Sequence, residues 1–282
     1  MGRVAVVVVH GIGGGAGEDR QEFSLSLKSN VKKLLPPDSN FSWDEANWEK
    51  LNDAVDSVIG RIVKDICGQY IKETEDTLTP RDCAVGATGC TTTRKWLSWF
   101  SNFCLRLKLN ILKKLKKHMP DIIDAAIDLP LYMQRPKGDE IRNVVHEKIA
   151  EVSASADKVI LVGHSLGSVI AFDVAAEEIK KDPSCRISAL VTMGSPLEWV
   201  TEIRRAATKG QEDVPRIDIP WINFWDHADP VPERKGLDKE VFIGVDNREV
   251  KSGKGLKGSH CGYWNNMEIA QTISDMIRGK PF

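Results

Sequence analysis

Three residue types that cooperate in acyl transfer stand in a workable order along this chain. Ser165 lies in Gly163-His164-Ser165-Leu166-Gly167, the pattern G-x-S-x-G. A serine hydroxyl is a poor nucleophile at neutral pH. It needs a histidine to take its proton, and the histidine needs a carboxylate to fix its tautomer and stabilise its charge. When the serine sits on a strand-to-helix turn of a parallel sheet, the acid and then the histidine follow it in the chain. Of the six histidines, His10, His118, His146, His164, His227 and His260, only the last two follow Ser165. His227 is one residue from Asp226 and two from Asp229, too close to curl onto either while reaching Ser165. His260 is expected in a Gly-flanked loop just before the final helix, and is the candidate base. Asp229 is the preferred acid, because Pro230 and Pro232 stiffen the turn beyond it. Asp226 is the second candidate and Asp246 the third; the rejected aspartate is expected to cap the turn or pair with Arg234 or Lys235.

A second glycine cluster, His10-Gly11-Ile12-Gly13-Gly14-Gly15, follows an apolar run. It lacks the Lys-Ser/Thr of a phosphate-binding P-loop and the third glycine of a dinucleotide fingerprint. Glycines here let backbone N–H groups approach a ligand closely, which suits an oxyanion-binding loop.

These loops need elements to hold them. Arg3–Val9 is apolar without alternation, as in a central parallel strand. Val159–Val162 is a second such strand and runs straight into the serine turn, with a helix over 168–181. Glycines two positions either side of Ser165 avoid a Cβ collision with neighbouring backbone. Further strands are expected at Ile187–Met193, Trp221–Trp225 and Val241–Val245, and helices at 22–35, 139–152 and 265–277. Strands alternating with helices predict an α/β fold with a mostly parallel sheet and helices on both faces. Its functional residues belong on loops at the carboxyl ends of strands, where the His10–Gly15 loop, Ser165, Asp229 and His260 all fall.

Residues 38–120 do not read as part of a minimal sheet-and-helix core. They are expected to form a helical cap or lid inserted within a single domain spanning 1–282. Within them, residues 94–118 hold eight Lys or Arg and no Asp or Glu. Trp96, Trp99, Phe100, Phe103, Leu107, Ile111 and Leu115 recur there at helical spacing. Such a stripe bordered by cations suits either packing on the core or contact with an anionic membrane surface.

Composition narrows the class. With 282 residues, 41% hydrophobic, 28% charged and a net charge of −1, the chain has the make-up of a globular domain, not of a basic nucleic-acid binder. The longest aliphatic run, Val4–Val9, is too short for a membrane span or a signal-peptide core. Val6 stands where a myristoylation motif needs Ser or Thr. The six cysteines show no C-x-x-C pairing or zinc-ligand spacing, so free thiols and a cytoplasmic setting are expected. No metal or organic cofactor is called for.

Taken together, H-G-I-G-G, G-H-S-L-G-S, a strand ending in G-S-P, D-P-V-P and S-H-C-G-Y-W resemble the α/β-hydrolase lipase/esterase superfamily. The stretch from Asp124 to Val174 resembles its intracellular phospholipase A1-like branch, but the four-residue D-D-H-D signature is absent; Asp226-His227-Ala228-Asp229 is similar to it. The resemblance covers residues 3–35 and about 121–282. It implies an α/β-hydrolase fold, with Ser165 as nucleophile, Asp229 as acid and His260 as base. Ile12 and Leu166 would supply the oxyanion N–H groups. The expected activity is serine carboxylic-ester hydrolysis through an acyl-serine, with lipid the leading substrate class. A thioesterase or acyltransferase using the same triad, or a retired membrane-docking scaffold, are the alternatives.

Overall fold

The computed structural model describes residues 2–11, 19–48, 132–133, 135–208, 213–232 and 234–282. Ile12, most of the expected 38–120 cap and the whole of 94–118, with Trp96 and Trp99, lie outside the described residues.

Six strands form one sheet. They are β1 (Val4–Val9), β2 (Phe41–Glu45), β3 (Lys158–His164), β4 (Ile187–Met193), β5 (Trp221–Trp225) and β6 (Val245–Glu249), in the order β2-β1-β3-β4-β5-β6. Every neighbouring pair is parallel. Among the described residues six α-helices connect or flank them: α1 (Asp19–Leu34), α2 (Arg135–Ser153), α3 (Leu166–Lys181), α4 (Leu197–Ala207), α5 (Gly255–Cys261) and α6 (Met267–Ile277). A 3-10 turn, Gly262–Asn265, joins the last two.

The all-valine-and-alanine β1 explains both layers. Its side chains alternate between faces. Val4, Val6 and Val8 join a cluster with Leu27 and Val31 of α1 and Ile269, Ile273 and Ile277 of α6. Ala5, Val7 and Val9 join another with Ile141, Val145 and Ile149 of α2 and Val169, Ile170 and Val174 of α3. A strand buried on both faces cannot show polar alternation. The first part of α3 is apolar for the same reason, being buried from Leu166 to Ala176.

Three local expectations are corrected. Phe41–Glu45 is a strand. Among the described residues it pairs only with β1, and it is half-buried throughout, so its five mixed residues carry little strand signal. Of the apolar run Val241–Val245, the first four residues are a turn and only Val245 is in a strand. Phe242 plugs the core, Ile243 is exposed, and Gly244 takes a φ of 92°. The strand follows the turn, in the polar sequence Val-Asp-Asn-Arg-Glu. Its place is fixed by side chains. Asn247 accepts from the amide of Asn223 on β5 (3.0 Å) and exchanges hydrogen bonds with the Leu237 backbone. Asn223 accepts in turn from Thr192 on β4 (2.8 Å). Finally, His260 lies within α5, not in a loop.

Candidate active site

The carboxyl end of the sheet carries the candidate residues. β3 ends at His164, and Ser165 turns the chain into α3 with φ 53° and ψ −131°. Few residues other than glycine hold such a backbone, and the conformation persists only where the surroundings over-determine it. The surroundings do so here. The Ser165 N–H donates to the Met193 carbonyl on β4 at 3.0 Å. The Ser165 carbonyl accepts from the Ser168 N–H (2.9 Å) and hydroxyl (2.5 Å). Ser168 is also 2.7 Å from the Ser195 hydroxyl, both buried. The two flanking glycines have no room for a side chain. A Cβ on Gly167 would stand 2.2 Å from the Val9 carbonyl oxygen, and one on Gly163 would stand 2.6 Å from that of Gly167. Leu166 opens α3 and is buried. The first N–H groups of a helix have no intrahelical acceptor, so this turn offers donors where an oxyanion could sit.

The loop after β1 comes up against the serine. A Cβ on Gly11 would lie 2.5 Å from Ser165 Cβ and 3.1 Å from its Oγ. The preceding residue is held from behind: Trp48, fully buried after β2, donates its indole N–H to the His10 carbonyl at 3.0 Å and stacks on its ring.

Asp229 and His260 meet. His260 Nδ1 is 2.9 Å from Asp229 Oδ2, with both side chains buried. Asp229 is wholly inaccessible, so its charge depends on donors. Besides His260, it accepts from the Tyr263 hydroxyl on Oδ2 (2.8 Å) and from the Val231 N–H on Oδ1 (3.0 Å). Asp226 is engaged elsewhere. Its Oδ1 accepts from the Ala228 N–H (2.7 Å), capping the turn, and its Oδ2 accepts from the Ser252 N–H (2.6 Å) and hydroxyl (2.7 Å). Burial works against its ionisation, but the Ser252 and Ala228 donors prevail and hold its carboxyl below the usual range. Asp246 is exposed on β6 and pairs with Arg248, and His227 is exposed.

Two residues that sequence reasoning did not single out complete the arrangement. Tyr263 accepts from the Asp226 N–H (2.9 Å) while donating to Asp229. Burial, then the neighbouring Asp229 charge, pushes its pKa far up, so the phenol keeps its proton. Gly194, with φ 54°, sits beside the acid–base pair. A Cβ there would lie 2.9 Å from Asp229 Oδ2 and 3.2 Å from His260 Nδ1. The motif fragments Gly194-Ser195-Pro196 and Ser259–Trp264 held both residues in plain view, but nothing in a sequence shows which hydroxyl reaches which carboxylate.

A buried hydroxyl, an imidazole and a carboxyl group at the ends of β3 and β5 and on α5, beside two glycine-bearing turns, have the components of nucleophilic acyl chemistry. The model of the class 3 lipase family matches residues 68–238. That span includes Ser165 and Asp229 and stops short of His260. A search of curated proteins found no match. Among solved structures, the RedJ thioesterase from the prodiginine biosynthetic pathway of Streptomyces coelicolor is similar at 13% identity and a TM-score of 0.41. That match covers 96% of this chain and 85% of the thioesterase. Alpha/beta hydrolase domain-containing protein 10 from mouse is similar at 14% identity and a TM-score of 0.32, over 50% of this chain and 68% of that one.

Proposed function

The chain belongs to the class 3 lipase family and is an ester hydrolase of the lipase/esterase type, and from that premise we propose that it is a serine carboxylic-ester hydrolase working through an acyl-serine. Ser165 Oγ attacks the ester carbonyl while His260 takes its proton. The backbone N–H groups of Ile12 and Leu166 stabilise the tetrahedral oxyanion. His260 then protonates the departing alcohol. Water attacks the acyl-serine with His260 again as base, and the acid leaves. Asp229 keeps the His260 Nδ1–H in place and balances the imidazolium as it forms.

The observation that carries this reading is the buried 2.9 Å contact between His260 and Asp229, together with the φ of 53° that Ser165 takes at the end of β3. A fluorophosphonate probe tests it. Wild-type protein should be labelled and Ser165→Ala should not; equal labelling of both would sink the assignment. Hydrolysis of p-nitrophenyl esters of rising chain length, run beside a phospholipid, then distinguishes an esterase from a lipase or phospholipase. Added alcohol or thioester substrates test for acyl transfer and thioesterase activity in the same assay.

We also propose that residues 94–118 belong to a cap over this site that meets anionic membrane. The support is their aromatic stripe beside eight cations. Each cation near an anionic surface adds about 1 kcal/mol, an attraction that salt weakens. Sedimentation with phosphatidylserine vesicles should show binding at low salt that is lost at high salt and in Trp96→Ser/Trp99→Ser. No binding at low salt would leave a purely structural cap.

A further inference from the structure

His164 has no part in the chemistry just described, yet its ring is buried at the centre of the site. It is the last residue of β3 and precedes the nucleophile. Its Nε2 lies 2.7 Å from the backbone oxygen of His260, 96 residues away in the chain. A carbonyl can only accept, so Nε2 carries the hydrogen. Its ring centre is 4.8 Å from that of His260, 5.8 Å from Tyr263 and 5.2 Å from Trp264. Burial first, then the facing His260, lowers its pKa to about 3, so the ring is neutral and its one N–H constant across the working pH range.

The acceptor explains why such a donor is needed. α5 is only seven residues long, and the last four carbonyls of a helix have no intrahelical donor. The Gly258 carbonyl accepts from the Gly262 N–H that follows the helix. The Ser259 carbonyl faces the Ser252 hydroxyl, which shares its single hydrogen between that carbonyl and Asp226. The His260 carbonyl accepts from His164. Strand β3, by contrast, is fixed on both edges by β1 and β4. The hydrogen bond therefore ties a short, weakly self-supporting helix to one of the most constrained strands in the molecule.

On the reading of Ser165 and His260 given above, we propose that His164 is a positioning residue that holds the backbone of His260 and so fixes the base relative to the serine that follows His164 in the chain. A base displaced by an ångström loses far more rate than binding, about 100-fold in such cases.

The test uses the full chain with p-nitrophenyl butyrate, rates being expressed per site titrated by a fluorophosphonate. His164→Leu removes the donor and should lower kcat about 10- to 100-fold while KM stays within about twofold. His164→Gln keeps a side-chain N–H near the position of Nε2 and should restore kcat to within about threefold of wild type; His164→Asn, too short to reach, should not. A purely structural residue would reduce the number of titratable sites and the melting temperature, but not kcat per site. Wild-type kcat per site in His164→Leu overturns the inference. If His164→Leu does not fold, the glutamine and asparagine variants decide it: equal kcat in the two overturns it. Ser165→Ala keeps the two ideas apart. Labelling of that variant defeats the nucleophile assignment itself, whereas a silent Ser165→Ala beside a fully active His164→Leu defeats only the role of His164.

Discussion

Tyr263 donates its hydroxyl to the same oxygen of Asp229 that faces His260, at 2.8 Å. The carboxylate is thus held from two sides, and the phenol also receives the Asp226 N–H. Tyr263→Phe keeps the ring and deletes both bonds. A hydrogen bond to a buried charge is worth about 2 kcal/mol, so the variant should melt several degrees lower. With the carboxylate freed from its second donor, kcat should fall about tenfold at unchanged KM. Unchanged kcat in a folded variant would mean that His260 and Val231 suffice to hold the acid.

The two aspartates make opposite predictions. Asp229→Asn should lower kcat about 10³- to 10⁴-fold, because His260 loses the partner that orients it, and should also lose about 1–3 kcal/mol of stability, because an NH2 group then faces buried donors. Asp226→Asn leaves one amide oxygen but turns an NH2 group toward the Ala228 donor or the two Ser252 donors. It should retain kcat within about tenfold and lose about 1–3 kcal/mol of stability. Chemical denaturation beside steady-state kinetics checks both, and the reverse ranking would exchange their roles.

His146 supplies a pH test away from the chemistry. Its Nε2 is 2.8 Å from Glu177 and its Nδ1 2.7 Å from Glu178, so a protonated ring bridges α2 to α3. Hydrogen bonding to Glu177 raises its pKa, against burial and with help from Glu178. Arg142 pairs with the other oxygen of Glu177, and Arg204 also faces that carboxylate. A raised folded pKa means that the stabilisation is complete below the unfolded value of about 6.5 and is lost as pH climbs through the folded one. The melting-temperature difference between wild type and His146→Gln should therefore be largest near pH 6 and shrink toward pH 9. A difference independent of pH would refute the bridge.

How much of this was legible in the residues depends on which interactions made each part. β1, β3, β4 and β5 announce themselves because strands buried on both faces are largely apolar. β6 does not, because Asn247 secures it through side-chain hydrogen bonds to Asn223 and Leu237, a long-range arrangement that leaves no periodicity. β2 is half-exposed and pairs on one side only. Ser165, Asp229 and His260 could be picked out because motif and chain order constrain them. Tyr263, Gly194 and His164 were visible only as letters beside those motifs. Their significance lies in three-dimensional proximity between the ends of β3, β4 and β5 and the α5 segment with its following 3-10 turn, which no local pattern encodes.

The backbone at Ser165 is a loaded spring. A non-glycine residue at φ 53°, ψ −131° stores about 1–3 kcal/mol, and the serine side chain returns none of it as a helix cap, since it makes no capping hydrogen bond to α3. Alanine at this position keeps the Cβ and therefore the tension, while glycine releases it at the expense of about 0.5–1 kcal/mol in chain entropy. The two variants should then differ in durability, Ser165→Gly outlasting Ser165→Ala on heating. On the proposed role of Ser165, the capacity to attack an ester and greater thermal endurance are alternatives decided at a single residue.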